Sequence, residues 1–293
     1  MLSILIPTYN YDVLPLVKKL FEQCTQEGME YEIIVLDDAS SLHFDNEKIN
    51  LLENCLFKIL DKNMGRSAIR NLLAKKAKYD WLLFLDADAF PVNNKFIYNY
   101  RKHINHFDKV LCGGMKYSSE KPNNNKKLRW TYGRKREALT ALKRQQNEHL
   151  SFFSINFLLH KSIFEQVRFN EKLHFYGYED VLFSYELQRQ KIPIKHIDNP
   201  VYHMGVEENE VFLKKTELAL ESLHFLIKEQ KFSADYVKIA RYLNIIQKTY
   251  TKKIFSVVFN LFKPIIKKQI LSSNPNLFLF DVYRLGYICS LKS

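Results

Sequence analysis

The sequence predicts an α/β fold, with a mostly parallel central sheet flanked by helices and a helical extension behind it. Three features of the 293 residues carry that prediction. Short apolar or β-branched runs alternate with amphipathic stretches, the pattern of parallel strands joined by crossover helices. Polar, acidic or glycine residues follow each apolar run directly. From about Val206 the pattern changes to helical periodicity rich in Leu, Ile, Phe and Lys. The expected division is a first domain over 1–205 and a helical, basic, amphipathic region over 206–293.

In chain order, strands are expected at 2–6, 32–36, 56–60, 81–85 and 109–112, with a short late strand at 193–197. Between them Leu14, Val17, Leu20 and Phe21 mark one helix face, and Ile69, Leu72, Leu73 and Lys76 mark another. Pro122, Asn123, Asn124, Asn125 and the basic residues after them read as a long mobile loop. Compact structure resumes over 152–159, which on its residues alone reads as a plain edge strand. No internal repeat is visible.

Composition narrows the partners. The formal net charge of +12 favours anionic ones, whether nucleic acid, a lipid surface or a phosphate-bearing substrate. Cys24, Cys55, Cys112 and Cys289 show neither a C-x-x-C pair nor zinc-like spacing, and read as reduced thiols of a cytoplasmic protein. The opening run Leu2–Pro7 is too short for a signal peptide and reads as the first strand. No stretch approaches the roughly 20 apolar residues that span a bilayer. The aromatic residues near the basic stretches fit helix faces better than stacking platforms, which argues against nucleic acid.

A ligand of an open α/β sheet lies beyond the carboxyl ends of its strands. The residues there are Pro7, Thr8, Tyr9 and Asn10, then Asp37, Asp38, Ala39 and Ser40, then Asp86, Ala87 and Asp88, then Gly113 and Gly114. Asp86 and Asp88 leave a fully apolar strand one residue apart, and two such carboxylates are costly to desolvate unless a cation shares them. A hard divalent ion bridging to a diphosphate answers that need, and a solvated strand-end turn is the plainer alternative. Gly65 and Arg66 open a helix on which Arg66 and Arg70, four apart, share a face, with a solvated basic helix face as the plainer alternative. Glu179 and Asp180 begin another helix, where negative charge is favoured and capping alone would explain the pair.

Residues 3–10 (SILIPTYN), 34–40 (IVLDDAS), 63–71 (NMGRSAIRN) and 85–88 (LDAD) occur in that order. Together they resemble the family 2 glycosyltransferases with the GT-A fold, over roughly 1–205. The resemblance implies a nucleotide pocket at the first strands, in which Tyr9 flanks the base, Pro7 and Thr8 shape the turn beneath it, and Asp38 accepts from a base N–H, usually of uracil. Ordinary strand-end packing is the other reading of Tyr9. It implies Arg66 and Arg70 turned toward the diphosphate or ribose, with Arg70 the better match to the family's arginine. It implies Mn²⁺ or Mg²⁺ held by Asp88 with His203 completing the shell, while Asp86 faces the ribose or supports the ion through water. His174 and His196 carry less weight as ligands.

In the same resemblance Asp180 is the general base of an inverting displacement and Glu179 orients sugar hydroxyls, with Gly177 leaving room for a sugar to approach and Ser154 and Asn156 lying near the transferred sugar, unless 152–159 is only an edge strand. Arg134 and Arg136 would belong to a lid over the phosphates, or to a solvated loop. A Q-x-x-R-W motif is lacking, which argues against processive polymer synthesis. Beyond the catalytic domain, Lys238 to Lys268 are interleaved with apolar residues, and no acidic residue occurs between Asp235 and Asp281. That composition suits an anionic membrane surface, or a helical cap packed on protein. The expected function is an inverting transferase that takes a sugar from a nucleotide-sugar donor, expected to be UDP-linked, to a glycan or lipid-linked acceptor, peripheral at the inner face of a membrane. The alternative is an inactive GT-A-fold binding or assembly protein at that surface.

Overall fold

The computed structural model describes all residues except 105, 106, 174, 175, 232, 234, 292 and 293. His174, the weaker ligand candidate, and its neighbour Phe175 lie outside the described residues. The chain folds into two compact units. The first comprises 1–117, 138–172 and 179–205, and the second 118–137, 173–178 and 206–293. The expected boundary after 205 is one of the places where the chain passes between units. Segments 118–137 and 173–178, assigned by sequence to the first domain, group with the second.

The first unit holds a seven-stranded sheet. Its strands are β1 (Leu2–Thr8), β2 (Tyr31–Asp37), β3 (Cys55–Ile59), β4 (Trp81–Leu85), β6 (Val110–Cys112), β8 (Asn156–His160) and β9 (Ile194–His196), and they lie in the order β3-β2-β1-β4-β8-β6-β9. Helices α1 (Leu14–Glu27), α2 (Arg66–Lys76), α3 (Phe96–Arg101), α5 (Ala141–Gln145), α6 (Lys161–Gln166) and α7 (Glu179–Arg189) accompany it. A second, three-stranded sheet joins β5 (Ala89–Pro91), β10 (Val201–His203) and β7 (Met115–Lys116) in the order β5-β10-β7.

The apolar runs of β1, β2 and β4 become strands because both their faces are covered, whereas β3 at the sheet edge buries only Phe57. All five residues of β4 are buried, and each such side chain contributes about 1.5–3 kcal/mol of transfer free energy. The core beside β4 is rich in phenylalanine: Phe84 stacks on Phe157 with centroids 4.8 Å apart, and Phe169 on Phe183 at 4.4 Å. Pro7 is tolerated inside β1 because β4 pairs only with Ser3, Ile4 and Leu5, which leaves the strand's far end without a ladder on that side. Helix α1 stops at Gly28, whose φ of 57° takes the left-handed conformation that ends helices.

Two expectations are corrected. Segment 152–159 is not an edge strand: β8 lies between β4 and β6 and runs antiparallel to both. Nor are the residues after Pro122 a long loop, since Lys127–Tyr132 form α4 and Gly133–Glu137 a turn of π-helix. Their Asn-rich, basic composition hid contacts made within the second unit. Asn209 Oδ1 accepts from the Leu128 amide at 2.8 Å, and Arg129 pairs with Glu137 at 2.9 Å. Arg134 lies over the Trp130 ring and Arg136 pairs with Asp281 at 2.8 Å, so both basic candidates are engaged within that unit.

The second unit continues with α8 (Asn209–Lys228), α9 (Lys238–Lys248), α10 (Lys252–Ile270) and α11 (Leu277–Ser290). Leu213, Phe259, Ile270, Phe280 and Tyr283 form its core with Leu128. Asn276 caps α11 by accepting from the Phe278 amide at 2.9 Å and the Leu279 amide at 3.2 Å. Gly177 packs on Ala219 with a φ of 86°, so the backbone conformation and the neighbouring helix account for this glycine. No helix among the described residues is long and apolar enough to cross a membrane.

Candidate active site

The parallel pair β1–β2 ends at Thr8 and Asp37, and the Asp38 amide still donates to the Thr8 carbonyl at 2.9 Å. Pro7 and Thr8 are therefore strand residues, and the turn they were expected to shape starts at Tyr9. Asn10, to which the sequence assigns no role, is the knot of this edge. Its backbone takes φ 51°, its side-chain oxygen accepts from the Ser41 and Leu42 amides at 2.9 Å each, and its own amide donates to Ser40 Oγ at 2.6 Å. Tyr9 is left standing outward, 53% exposed, with its ring open to a planar partner.

Asp38 is buried and its carboxylate is already in use. Met64 donates its amide to Oδ1 at 2.6 Å and Gly65 to Oδ2 at 3.0 Å, while Asn63 Nδ2 donates to its backbone carbonyl. The carboxylate thus fastens the loop that leads into α2, where Gly65 needs its φ of 83°. Each oxygen keeps a lone pair, since a carboxylate offers about four acceptor sites.

Arg66 and Arg70 separate in role. Arg70 is buried and donates from Nη2 to Asp86 Oδ1 at 2.6 Å, from Nη1 to the Arg66 carbonyl at 3.3 Å, and lies over the Phe169 ring. It does not turn outward toward a diphosphate, because a guanidinium this deep requires its own carboxylate. Asp86 is correspondingly engaged by Arg70. Arg66 is half-exposed and reaches Glu179 Oε1 at 3.4 Å.

Asp88, mostly buried, is the other carboxylate of this turn. Its own carbonyl accepts from the Met204 amide at 2.9 Å, which closes β10 onto the β4–β5 turn and brings His203 Nε2 to 3.6 Å from Asp88 Oδ2. His203 stacks on Tyr117, and its buried Nδ1 has no hydrogen-bond partner among the described residues. Burial pushes the Asp88 carboxyl up, opposed by His203 and Arg66 and reinforced by Asp86. Tyr11, also missed by sequence, is raised by burial and by Asp88.

An oxygen and a nitrogen 3.6 Å apart fit two neighbouring ligands of one divalent ion, whose bonds of about 2.0–2.2 Å set such edges at roughly 3.0–3.6 Å. No cluster of three His, Cys, Asp or Glu able to hold a metal occurs among the described residues, so further ligands would be phosphate oxygens and water. Gly205 is part of this corner: a Cβ built there would collide with Asp88 Oδ2. Gly205→Ala is expected to displace that carboxylate and weaken Mn²⁺-dependent nucleotide binding about tenfold, measured by calorimetry. Unchanged binding would contradict the placement.

Glu179 and Asp180 open α7 as expected. Glu179 is buried against Arg66, and Asp180 Oδ1 accepts from the Val181 amide at 2.8 Å. Burial and the Glu179 charge push the Asp180 carboxyl up to about 7, against the pull of that amide, Arg70 and Arg66. Arg66 acts on both Asp88 and Asp180, so its charge links the two acidic corners.

Other candidates belong to the framework. Asn156 is fully buried, donating to the Gly114 and Asn199 carbonyls and accepting from Tyr100 Oη at 2.6 Å, which leaves nothing for a sugar. Gly113 and Gly114 are glycines because Asn156, Asn199, Tyr100 and Arg144 press on them. His196 takes a bond from Arg144 on Nδ1 and holds the Glu148 carbonyl with Nε2, and burial lowers it to about 4. It is a neutral structural histidine.

Residues 3–168 match the family model described as Glycosyl transferase family 2. The chain belongs to that family. As a family 2 member it is 36% identical over 93 residues to an uncharacterised glycosyltransferase of Haemophilus influenzae, a match covering 30% of this chain and 29% of that protein. It is 35% identical over 121 residues to a chondroitin synthase of Escherichia coli, covering 40% of this chain and 17% of the synthase. The matched regions thus span less than a third of either relative. Among solved structures, S. aureus TarS aligns with a TM-score of 0.52 at 17% identity, over 97% of this chain and 54% of TarS. TarS 1–349 in complex with UDP-GlcNAc aligns at 0.50 and 18%, over 97% and 90%. These likenesses establish a shared GT-A fold for this family 2 chain.

Proposed function

We propose that this family 2 protein transfers a sugar, with inversion, from a nucleotide diphosphate donor that is uridine-based to a glycan or lipid-linked acceptor in cell-surface polysaccharide synthesis, at an anionic membrane face. One arrangement carries the reading: the Asp180 carboxyl, raised to about 7 by burial and Glu179, and the largely buried Asp88–His203 pair lie in one electrostatic neighbourhood, with Arg66 acting on both Asp180 and Asp88. The complex that TarS 1–349 forms with UDP-GlcNAc, on the same fold, supports the choice of donor.

Tyr9 offers its exposed ring to the base, and Asp38 can accept a base N–H on a remaining lone pair. Asp180 takes the proton from an acceptor hydroxyl while that oxygen forms its bond to the anomeric carbon. The bond from that carbon to the diphosphate oxygen breaks in the same displacement, and the nucleoside diphosphate leaves. Asp88 and His203 would hold Mn²⁺ or Mg²⁺, which supplies positive charge for the departing diphosphate. Arg66, half-exposed, adds a second positive charge, and the Arg70–Asp86 pair holds α2 against the end of β4.

A thermal-shift screen of nucleotide sugars with Mn²⁺, followed by an assay of nucleotide diphosphate release, tests the reading. Binding at 100 times Kd stabilises the folded state by about 2.7 kcal/mol, so a UDP-sugar is expected to raise Tm by several degrees. Absence of a Mn²⁺-dependent shift with every donor would reject it, and a shift without turnover would favour the inactive binding protein.

A further inference from the structure

The second unit carries a surface that its own packing leaves uncovered. On α10, Ile254, Val257, Val258, Leu261, Phe262 and Ile265 are all exposed, from 48% to 72%. Their spacing of i, i+3, i+4, i+7, i+8 and i+11 places them on one face about 140° wide and roughly 16 Å long. The opposite face is the one that packs: Phe259 meets Tyr283 of α11 at 5.5 Å, Ile270 is fully buried, and a Cβ on Gly286 would overlap the Phe259 ring. The helix therefore has two apolar faces, and only one of them has a protein partner among the described residues.

We propose that the exposed face of α10 is an interfacial membrane anchor, lying in the plane of an anionic lipid surface with these six side chains in the acyl boundary. Charge decides the occupant. Lys253 and Lys268 stand exposed at the two ends of the stripe, and residues 236–280 contain eight Lys and Arg and no Asp or Glu. Lys267, on the flank, is paired with Glu210 at 3.6 Å, and Lys263 is turned inward over the rings of Phe259, Tyr283 and Tyr287. A second copy docked antiparallel on the same face would bring the Lys253 end of one helix onto the Lys268 end of the other, with no carboxylate in either segment to offset them. A bilayer rich in anionic headgroups meets the lysines and covers the stripe together. The helix carries Pro264 within it and lysines along its length, and this composition is unlike a span; it lies on the surface.

This inference gives a structural basis to the membrane side of the proposed function and rests on that reading only for its biological setting. The test is co-sedimentation of the full chain with phosphatidylcholine vesicles and with vesicles containing about one-third phosphatidylglycerol. The wild type is expected to partition onto the anionic vesicles at low salt and less at high salt. Leu261→Gln combined with Ile265→Gln is expected to lower the partition coefficient about tenfold or more, and Lys253→Gln with Lys268→Gln to lower it while abolishing most of its salt dependence. Both pairs are exposed, so circular dichroism and Mn²⁺-dependent nucleotide binding should be unchanged. Vesicle binding that survives the Leu261 and Ile265 substitutions, or none by the folded wild type, would overturn the proposal. So would a solution dimer, seen by analytical ultracentrifugation, that those substitutions dissociate. Failure of donor turnover with vesicle binding intact would count against the transfer reaction alone.

Discussion

Asp180→Asn is expected to lower transfer by about 10³-fold while leaving Mn²⁺-dependent donor binding in place, because the amide keeps the shape of the carboxyl and cannot accept the acceptor's proton. The pH profile of the wild type supplies a second readout. With the Asp180 carboxyl raised to about 7, the base form disappears below that pH, so kcat/KM should fall with unit slope on the acid side of an inflexion near 7. The residual rate of the variant should lack that inflexion. Stability gives the opposite sign. A carboxylate whose folded pKa is raised penalises the folded state once it ionises, fully above pH 7 and not at all below the ordinary aspartate value. Asp180→Asn should therefore melt higher than wild type at pH 8 and show no such gain at pH 3.5. A variant with wild-type turnover, or one whose profile keeps the inflexion, would remove Asp180 from the base position.

The second large effect is at Asp88. Asp88→Ala is expected to abolish Mn²⁺-dependent nucleotide binding in calorimetry and to lower transfer by at least about 10²-fold. The Arg70–Asp86 pair should be untouched, so the protein should fold with a Tm at or above the wild type, since burial already disfavours the Asp88 charge. His203→Ala should weaken the same binding by a smaller factor, in the range of about 10- to 100-fold. Retention of metal-dependent binding in Asp88→Ala would move the ion elsewhere.

The places of these two acids were legible in the sequence because each lies beside a local signal, while the roles expected of them came from the family resemblance. Asp88 follows a five-residue apolar strand, and Asp180 lies in the first turn of a helix. The long strands were legible for the same reason, since burial on both faces turns them into unbroken apolar runs. The small sheet was not. Strands β5, β7 and β10 have three, two and three residues, too few to show a period of two, and they exist because backbone partners come from 89–91, 115–116 and 201–203 at once. Pair choice was equally hidden. Four-residue spacing put Arg66 and Arg70 on one helix face correctly, yet only the fold shows that Asp86 lies within reach of Arg70 and Glu179 within reach of Arg66. Asn10 was placed on the ligand edge but its role in fastening the turn was not legible, because that role depends on partners at 40–42, and Gly205 acts through the hydrogen it has in place of a side chain.

The direction of β8 has a consequence for how this edge of the molecule can vary. Parallel strands deliver their last residues to the ligand side, but β8 runs the other way, so it delivers its first: Asn156 stands opposite Leu85, and the Ile155 carbonyl holds the Asp86 amide at 3.1 Å. The stretch feeding β8 therefore enters the sheet beside the acidic turn, while its far end at His160 pairs with Trp81 on the remote rim. Lengthening the chain just before β8 would remodel the mouth of the site without disturbing strand order, whereas the same insertion after His160 would be felt only at the back of the sheet.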